Sequence, residues 1–86
     1  MKINLHIDYV GGVSRDVTAN AADMVAFEDK YSISIANVST DPRMSYLLFL
    51  CWHSEKRTGQ TKDTFEKWCE SVEQVGAADT DPKSKG

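Results

Sequence analysis

From Ile3 to Tyr9 the chain alternates: Ile3, Leu5, Ile7 and Tyr9 are apolar or aromatic, while Lys2, Asn4, His6 and Asp8 are polar. A period of two is that of a strand with one buried face. Gly11 and Gly12 supply turn chemistry, and VSRDVTA offers a return strand carrying Val13, Val17 and Ala19. The register follows from which loop keeps the apolar residues on a common face. A two-residue Gly-Gly loop would pair Val10 with Val13 and set Tyr9, Ile7 and Leu5 against Ser14, Asp16 and Thr18. A three-residue loop, Val10 to Gly12, sets Leu5 against Val17 and Ile3 against Ala19, and a glycine can take the left-handed position such loops need. The sequence therefore predicts the three-residue loop.

The period then lengthens. Asn20 precedes AADMVAFEDKY, and Asp23 three residues later completes a capping-box start with an acidic first turn. Met24, Phe27 and Tyr31 form a narrow apolar stripe at helical spacing. SISIANVST is made of β-branched residues and serines that disfavour helix, so a connector, partly extended, is expected. TDPRMSYLLFLCWHSEKRTG carries the strongest helix signals in the chain. Thr40 or Asp41 can cap it, Pro42 sits at the first position, Lys56 and Arg57 occupy the last turn and Gly59 ends it, which predicts a helix over 42–58. Laid out at about 100° per residue, Met44, Leu47, Leu48, Cys51 and Trp52 share one face, and Tyr46, Phe49, Leu50 and His53 fall nearly opposite. A helix apolar on both sides is buried on both sides. One side can pack on the hairpin and first helix; the other must meet a third helix, a second copy or a partner.

Thr61 or Asp63 opens the predicted third helix, with Asp63 and Glu66 placed as a capping box. Over 63–75, Phe65, Trp68, Cys69, Val72 and Val75 lie within about a third of the circumference, with Glu66, Lys67, Glu70, Glu73 and Gln74 outside it. Gly76 ends the pattern, and the following AADTDPKSKG has no large apolar residue to fix it. The expectation is an α+β fold: one small domain over 1–76, an N-terminal β-hairpin followed by three α-helices, and a disordered C-terminal tail over 77–86.

Length and charge narrow the function classes. A chain of 86 residues fits one domain with a thin core, burying about 60 to 65% of its unfolded surface. Its net charge of −3 gives no electrostatic reason to approach phosphates. KRTGQTKDTFEKW does join two predicted helices through a short glycine-containing turn, as a helix-turn-helix would. Yet the exposed side of 63–75 sets one lysine against Asp63, Glu66, Glu70 and Glu73, the wrong chemistry for base edges. A small DNA-binding regulator and a generic adaptor or antitoxin-like protein stay as alternatives. The alternating start is not the apolar core of a secretory signal, and no apolar run approaches the roughly 20 residues that cross a bilayer, so a cytosolic protein is expected.

The sequence offers no GxSxG, HExxH, P-loop or GxGxxG, so neither an enzyme nor a cofactor is expected. His6 and His53 have no neighbouring residue at a spacing that would orient either as a general base. Glu66, Glu70 and Glu73 read as a solvated helical face. Cys51 and Cys69 show neither CxxC nor zinc spacing and read as reduced core thiols, so no metal is expected. The tryptophans have more to offer, because aromatic residues dominate both cores and interface hot spots.

The run LLFLCWHSEKRTGQTKDTFEKWCESVEQV resembles the tail assembly chaperones of long-tailed bacteriophages, in the upstream, non-frameshifted product. The elements that carry the resemblance are a tryptophan helix (Trp52), an R-x-G break (Arg57, Gly59) and F-x-x-W (Phe65, Trp68), followed by the acids Glu70 and Glu73. With VTANAADMVAFEDKYSISI the resemblance spans about residues 15 to 76. It implies a protein of the host bacterial cytoplasm, not expected in the mature virion, that binds the long hydrophobic tape measure protein, keeps it soluble and promotes assembly of the tail tube around it. It also implies a longer form, made by ribosomal frameshifting near TDPKSKG, that recruits the tail tube protein. No nucleic acid or membrane partner follows from it. On that reading Tyr46, Phe49, Leu50 and His53 are the expected surface for the client or for self-association, and Leu48, Trp52, Phe65 and Trp68 lock the helices together.

Overall fold

In the computed structural model, which describes residues 2–77, β1 (Ile3–Tyr9) and β2 (Ser14–Ala19) form an antiparallel hairpin. The register is the expected one, Leu5 opposite Val17 and Ile3 opposite Ala19. The loop is Val10 to Gly12, closed by Tyr9 N–H donating to the Val13 carbonyl at 2.7 Å and Gly12 N–H donating to the Tyr9 carbonyl at 3.2 Å. Gly11 and Gly12 have φ of +103° and +93°, a region that other residues enter only with strain.

Helix α1 (Ala21–Tyr31) starts on the expected box: Asn20 Oδ1 accepts from the Ala22 and Asp23 N–H groups, and the Asp23 carboxylate accepts from Asn20 N–H at 2.9 Å. Met24 and Phe27 are buried and Tyr31 is half-buried. The connector is not extended throughout, because Asn37–Thr40 closes one helical turn, α2, that buries Val38. Ser34 supports it by accepting the Ala36 N–H on its hydroxyl at 3.1 Å, the local side-chain bonding that makes serine poor in long helices and useful in turns.

Helix α3 (Met44–Arg57) begins two residues later than the pattern indicates. Asp41 does not cap it, since its carboxylate accepts from Arg43 Nε at 2.9 Å, and the helical ladder starts at the Arg43 carbonyl. Its end is as expected. Gly59 sits at φ +83°, Gly59 N–H donates to the Lys56 carbonyl and Gln60 N–H to the Glu55 carbonyl, a Schellman closure that needs a left-handed residue. The helix is buried on both sides, as its two apolar faces require, and it touches α1 and all three strands.

The predicted third helix is half a helix. Helix α4 (Phe65–Cys69) has little more than one turn, capped by Thr64 Oγ1 accepting the Lys67 N–H, and Ser71 closes it by donating its hydroxyl to the Trp68 carbonyl at 2.7 Å. The chain then becomes β3 (Val72–Ala77), which pairs antiparallel with the open side of β1, so the sheet order is β2-β1-β3. Val72 pairs with Tyr9 and Val75 with Ile7, although residues three apart face opposite sides of a regular strand. A bulge reconciles them: Gln74 pairs with Asp8, which leaves Glu73 as the extra residue and turns both valines onto the core face. The α+β class and the hairpin stand, with a third strand where half of the last helix was expected. Of the expected tail, Ala77 ends β3, and 78–86 lie outside the described residues.

The helices cover one face of the sheet. Leu5, Ile7, Ala19 and Val75 meet Phe27, Phe49, Leu50, Cys51 and Trp68 in one core. Asn4, His6 and Asp8 of β1 alternate onto the other face, where Thr18 donates to Asn4 Oδ1 at 2.9 Å. Among the described residues, no helix is long and apolar enough to cross a membrane.

Candidate functional site

Of the residues W, R-x-G and F-x-x-W, Trp52 and Phe65 pack together at the joint between α3 and α4, Gly59 turns the chain there, Arg57 reaches α1 and β2, and Trp68 faces the sheet. Trp52 donates its indole N–H to the Asp63 carbonyl at 2.9 Å, tying the connecting loop to the helix, and its ring packs on Phe65 with centroids 5.6 Å apart. Arg57 grips the fully buried Asp23, Nη2 at 2.9 Å from Oδ2 and Nε at 3.2 Å from Oδ1. His53 Nδ1 lies 2.5 Å from the same Oδ1. Burial works to raise the Asp23 carboxyl, but hydrogen bonds from Arg57, His53 and the Asn20 N–H outweigh it and hold the group below the ordinary carboxylate range.

Trp68 is 2% exposed and donates its indole N–H to Glu55 Oε1 at 3.0 Å. Glu55 is itself buried on α3, and it also accepts from the Tyr9 hydroxyl at 2.5 Å and from Arg15 Nη1 at 3.0 Å. Burial and then Glu55 push the Tyr9 phenol up. One carboxylate thus joins β1, β2, α3 and α4. Glu55 and Asp23 are the residues that the sequence reading missed. Asp23 reads as a cap, which it is, and Glu55 as part of a charged last turn. The available signal was position, since Glu55 lies four residues after Cys51 and seven after Leu48 and so continues an apolar stripe.

The expected client surface is split by the fold. Tyr46 and His53 are half-buried, but Phe49 is 5% exposed and Leu50 is fully buried, so these two form core rather than a free face. The reason is geometric: Phe27 and Tyr31 of α1 and Phe65 of α4 close over Phe49, with centroids 6.5, 5.8 and 6.0 Å away. Of the expected lock, Trp68 is core, while Leu48, Trp52 and Phe65 are half-buried against it. Trp68 packs edge-on to Tyr9 on the sheet side, and Trp52 packs on Phe49 and Phe65 on the helix side.

What reaches the surface is the outer rim of this aromatic layer. Tyr31 and Tyr46 lie 5.1 Å apart, Tyr46 stands edge-on to Phe27 at 5.1 Å, and Trp52 and Phe65 continue the rim. Arg43, with Cζ 6.0 Å from the Tyr46 centroid, and two lysines lie across it. Lys30 Nζ is 5.7, 5.9 and 6.0 Å from the centroids of Tyr31, Phe49 and Phe65, and Lys56 Nζ is 5.1 Å from that of Trp52. Such side chains shield apolar surface with their stems while keeping the charge in water, and they swing away readily. Cys69 belongs to the same region; burial, then the charge of Glu66, raise its thiol, and burial pushes Cys51 up to about 12. Both cysteines are free thiols. This rim can hold an apolar or aromatic segment of another polypeptide.

On the far face of the sheet His6 bridges two acids, Nδ1 at 2.5 Å from Asp16 and Nε2 at 3.1 Å from Asp8. The hydrogen bond to Asp16, joined by that to Asp8, raises its pKa above the ordinary histidine value against the opposing effect of burial. The described residues contain no cluster of metal-ligating side chains. No family model, curated protein or solved structure matches this chain.

Proposed function

We propose that this protein is a bacteriophage tail assembly chaperone that holds the tape measure protein in the host bacterial cytoplasm and promotes tail tube assembly around it. One observation carries the binding half of the reading: the half-buried rim of Tyr31, Tyr46, Trp52 and Phe65, shielded by the cationic side chains of Lys30, Arg43 and Lys56. A hydrophobic client is retained by aromatic surface that is partly exposed in the free protein and coverable without unfolding it. The sequence resemblance carries the identity of the client, and with it a frameshifted longer form that engages the tail tube protein. Of the residues that make the resemblance, Trp52, Gly59, Phe65 and Trp68 build the α3–α4 joint, and that joint sets the position of Trp52 and Phe65 on the rim. Tyr46 and His53 belong to the client surface on this reading; Phe49 and Leu50 support it from below.

The test is co-expression with the tape measure protein encoded by the same phage. Tyr46→Glu places a carboxylate on the rim and should reduce co-purified client at least tenfold in a chain that stays folded, with the melting temperature lowered by the lost ring contacts to Phe27 and Tyr31. Val25→Glu, at an apolar residue that is already 59% exposed on α1, should leave client recovery unchanged. Full recovery of the client with Tyr46→Glu would overturn the assignment.

A further inference from the structure

The outer side of β2 carries backbone groups that the fold does not use. Tyr9 N–H donates to the Val13 carbonyl, so Val13 turns its polar groups toward β1, and along an antiparallel ladder this alternates. Arg15, Val17 and Ala19 therefore bond to β1, while Ser14, Asp16 and Thr18 point their N–H and C=O away from the sheet. The Thr18 carbonyl obeys this parity: it accepts from Ser54 Oγ at 3.0 Å and Arg57 Nη2 at 3.3 Å, both on α3. That end of the edge is closed. Ser14, Arg15 and Asp16 are exposed, and their stretch of edge is open.

A groove of about 510 Å³ runs beside it, lined by Lys2, Arg15, Asp16, Thr18, Arg57 and Gln60 among others. Its residues come from both faces of the sheet, which places it around the β2 edge itself. Arg15 holds Glu55 and Gln60 through Nη1, and Arg57 holds Asp23 through Nε and Nη2. Arg15 Nη2, Arg57 Nη1 and the Lys2 ammonium are left as donors among the described residues. The one acidic side chain in the groove, Asp16, is engaged by His6. The groove therefore offers donors in excess, the complement of a carboxylate.

We infer that the β2 edge is a second protein-binding site, which takes an extended acidic segment of a partner polypeptide as a fourth, antiparallel strand. The segment pairs its backbone with Ser14 and Asp16 and directs a glutamate or aspartate into the groove toward Lys2, Arg15 and Arg57. A second copy of this chain fits less well. Self-pairing centred on Arg15 or Asp16 sets like charges opposite one another, and self-pairing centred on Val17 needs the Thr18 carbonyl that α3 already occupies. This site lies on the sheet edge, apart from the aromatic rim, and does not depend on what the rim binds.

The experiment uses the full chain, isotopically labelled, in amide-detected NMR titrations with two short synthetic peptides, one alternating threonine and glutamate and one alternating threonine and lysine. The glutamate peptide should shift the Ser14 and Asp16 amides and slow their hydrogen exchange; the lysine peptide should do neither. Ser14→Pro removes an N–H that points to solvent, a change an edge strand tolerates, and should weaken binding about tenfold, the upper range for one backbone hydrogen bond. Should that variant fail to fold, the exchange rates in the unmodified chain decide alone. The inference is overturned by equal response to both peptides, by shifts confined to the helices, by no binding at millimolar peptide, or by edge amides that are protected through self-association without peptide.

Discussion

Asp23 shows how a residue can be read correctly and still be half understood. The sequence predicts its capping role from the Asn20 spacing, and the fold gives it a second one: its fully buried carboxylate holds Arg57 and His53 of α3 against α1. A capping signal is local in sequence, whereas Arg57 lies 34 residues away, so the second role depends on tertiary packing that no spacing rule contains. The pH dependence follows from the sign of its shift. The folded pKa lies below the ordinary value, so the stabilisation is complete above about pH 4 and is lost as pH falls through the folded value. Asp23→Asn should therefore lower stability at neutral pH by about 2 kcal/mol, in the range for charge-assisted hydrogen bonds. Urea unfolding between neutral and strongly acidic pH should show the variant and the parent converging below about pH 4. A gap that stays constant to low pH would mean that the ion pair contributes nothing and that the loss is one of packing.

At the scale of elements, the hairpin was legible and the last helix was not, for one reason. In the hairpin the wrong register would have set Leu5 against Thr18 and lost the apolar pairs of Leu5 with Val17 and Ile3 with Ala19, so alternation selects the observed loop. In residues 70–76 the valines are three apart, a spacing that suits a helix and equally suits a strand with one bulged residue. What decides is non-local: β1 has a second edge, and Val72 and Val75 can cover Tyr9 and Ile7 only as a strand. Phe49 and Leu50, expected on a free face, are buried for the same kind of reason: the two-sided pattern of α3 reports that both sides are covered without saying by what. Deleting Glu73 tests the bulge. The register beyond it then becomes regular, Val72 turns to the outer face, and stability should fall by about 1 to 2 kcal/mol, the burial of one valine side chain. Replacing Glu73 by threonine keeps the residue count and should change stability by less than about 0.5 kcal/mol. Equal effects of deletion and replacement would remove the bulge from the account.

For the molecule as a whole, the arrangement of elements around α3 sets how it comes apart. A sheet of three short strands has little stability alone, and α4 is too short to persist without support. Each is fastened to α3 by a buried group: the strands through Glu55 with Tyr9 and Arg15, α4 through Glu55 with Trp68, and α1 through Asp23 with Arg57. Removing any one leaves a carboxylate short of a partner in the interior, which raises the free energy of every partly opened state. The described domain should accordingly unfold in a single transition despite its small core. The two tryptophans make this measurable, since Trp52 reports the rim and Trp68 the junction of sheet and helices. In Trp52→Phe and Trp68→Phe variants the remaining indole fluorescence should follow the same denaturant midpoint as far-ultraviolet circular dichroism recorded on that variant. A Trp52 signal that moves well before the dichroism would mean that the aromatic rim opens independently of the sheet, and the rim would then be a hinged flap rather than a fixed part of the core.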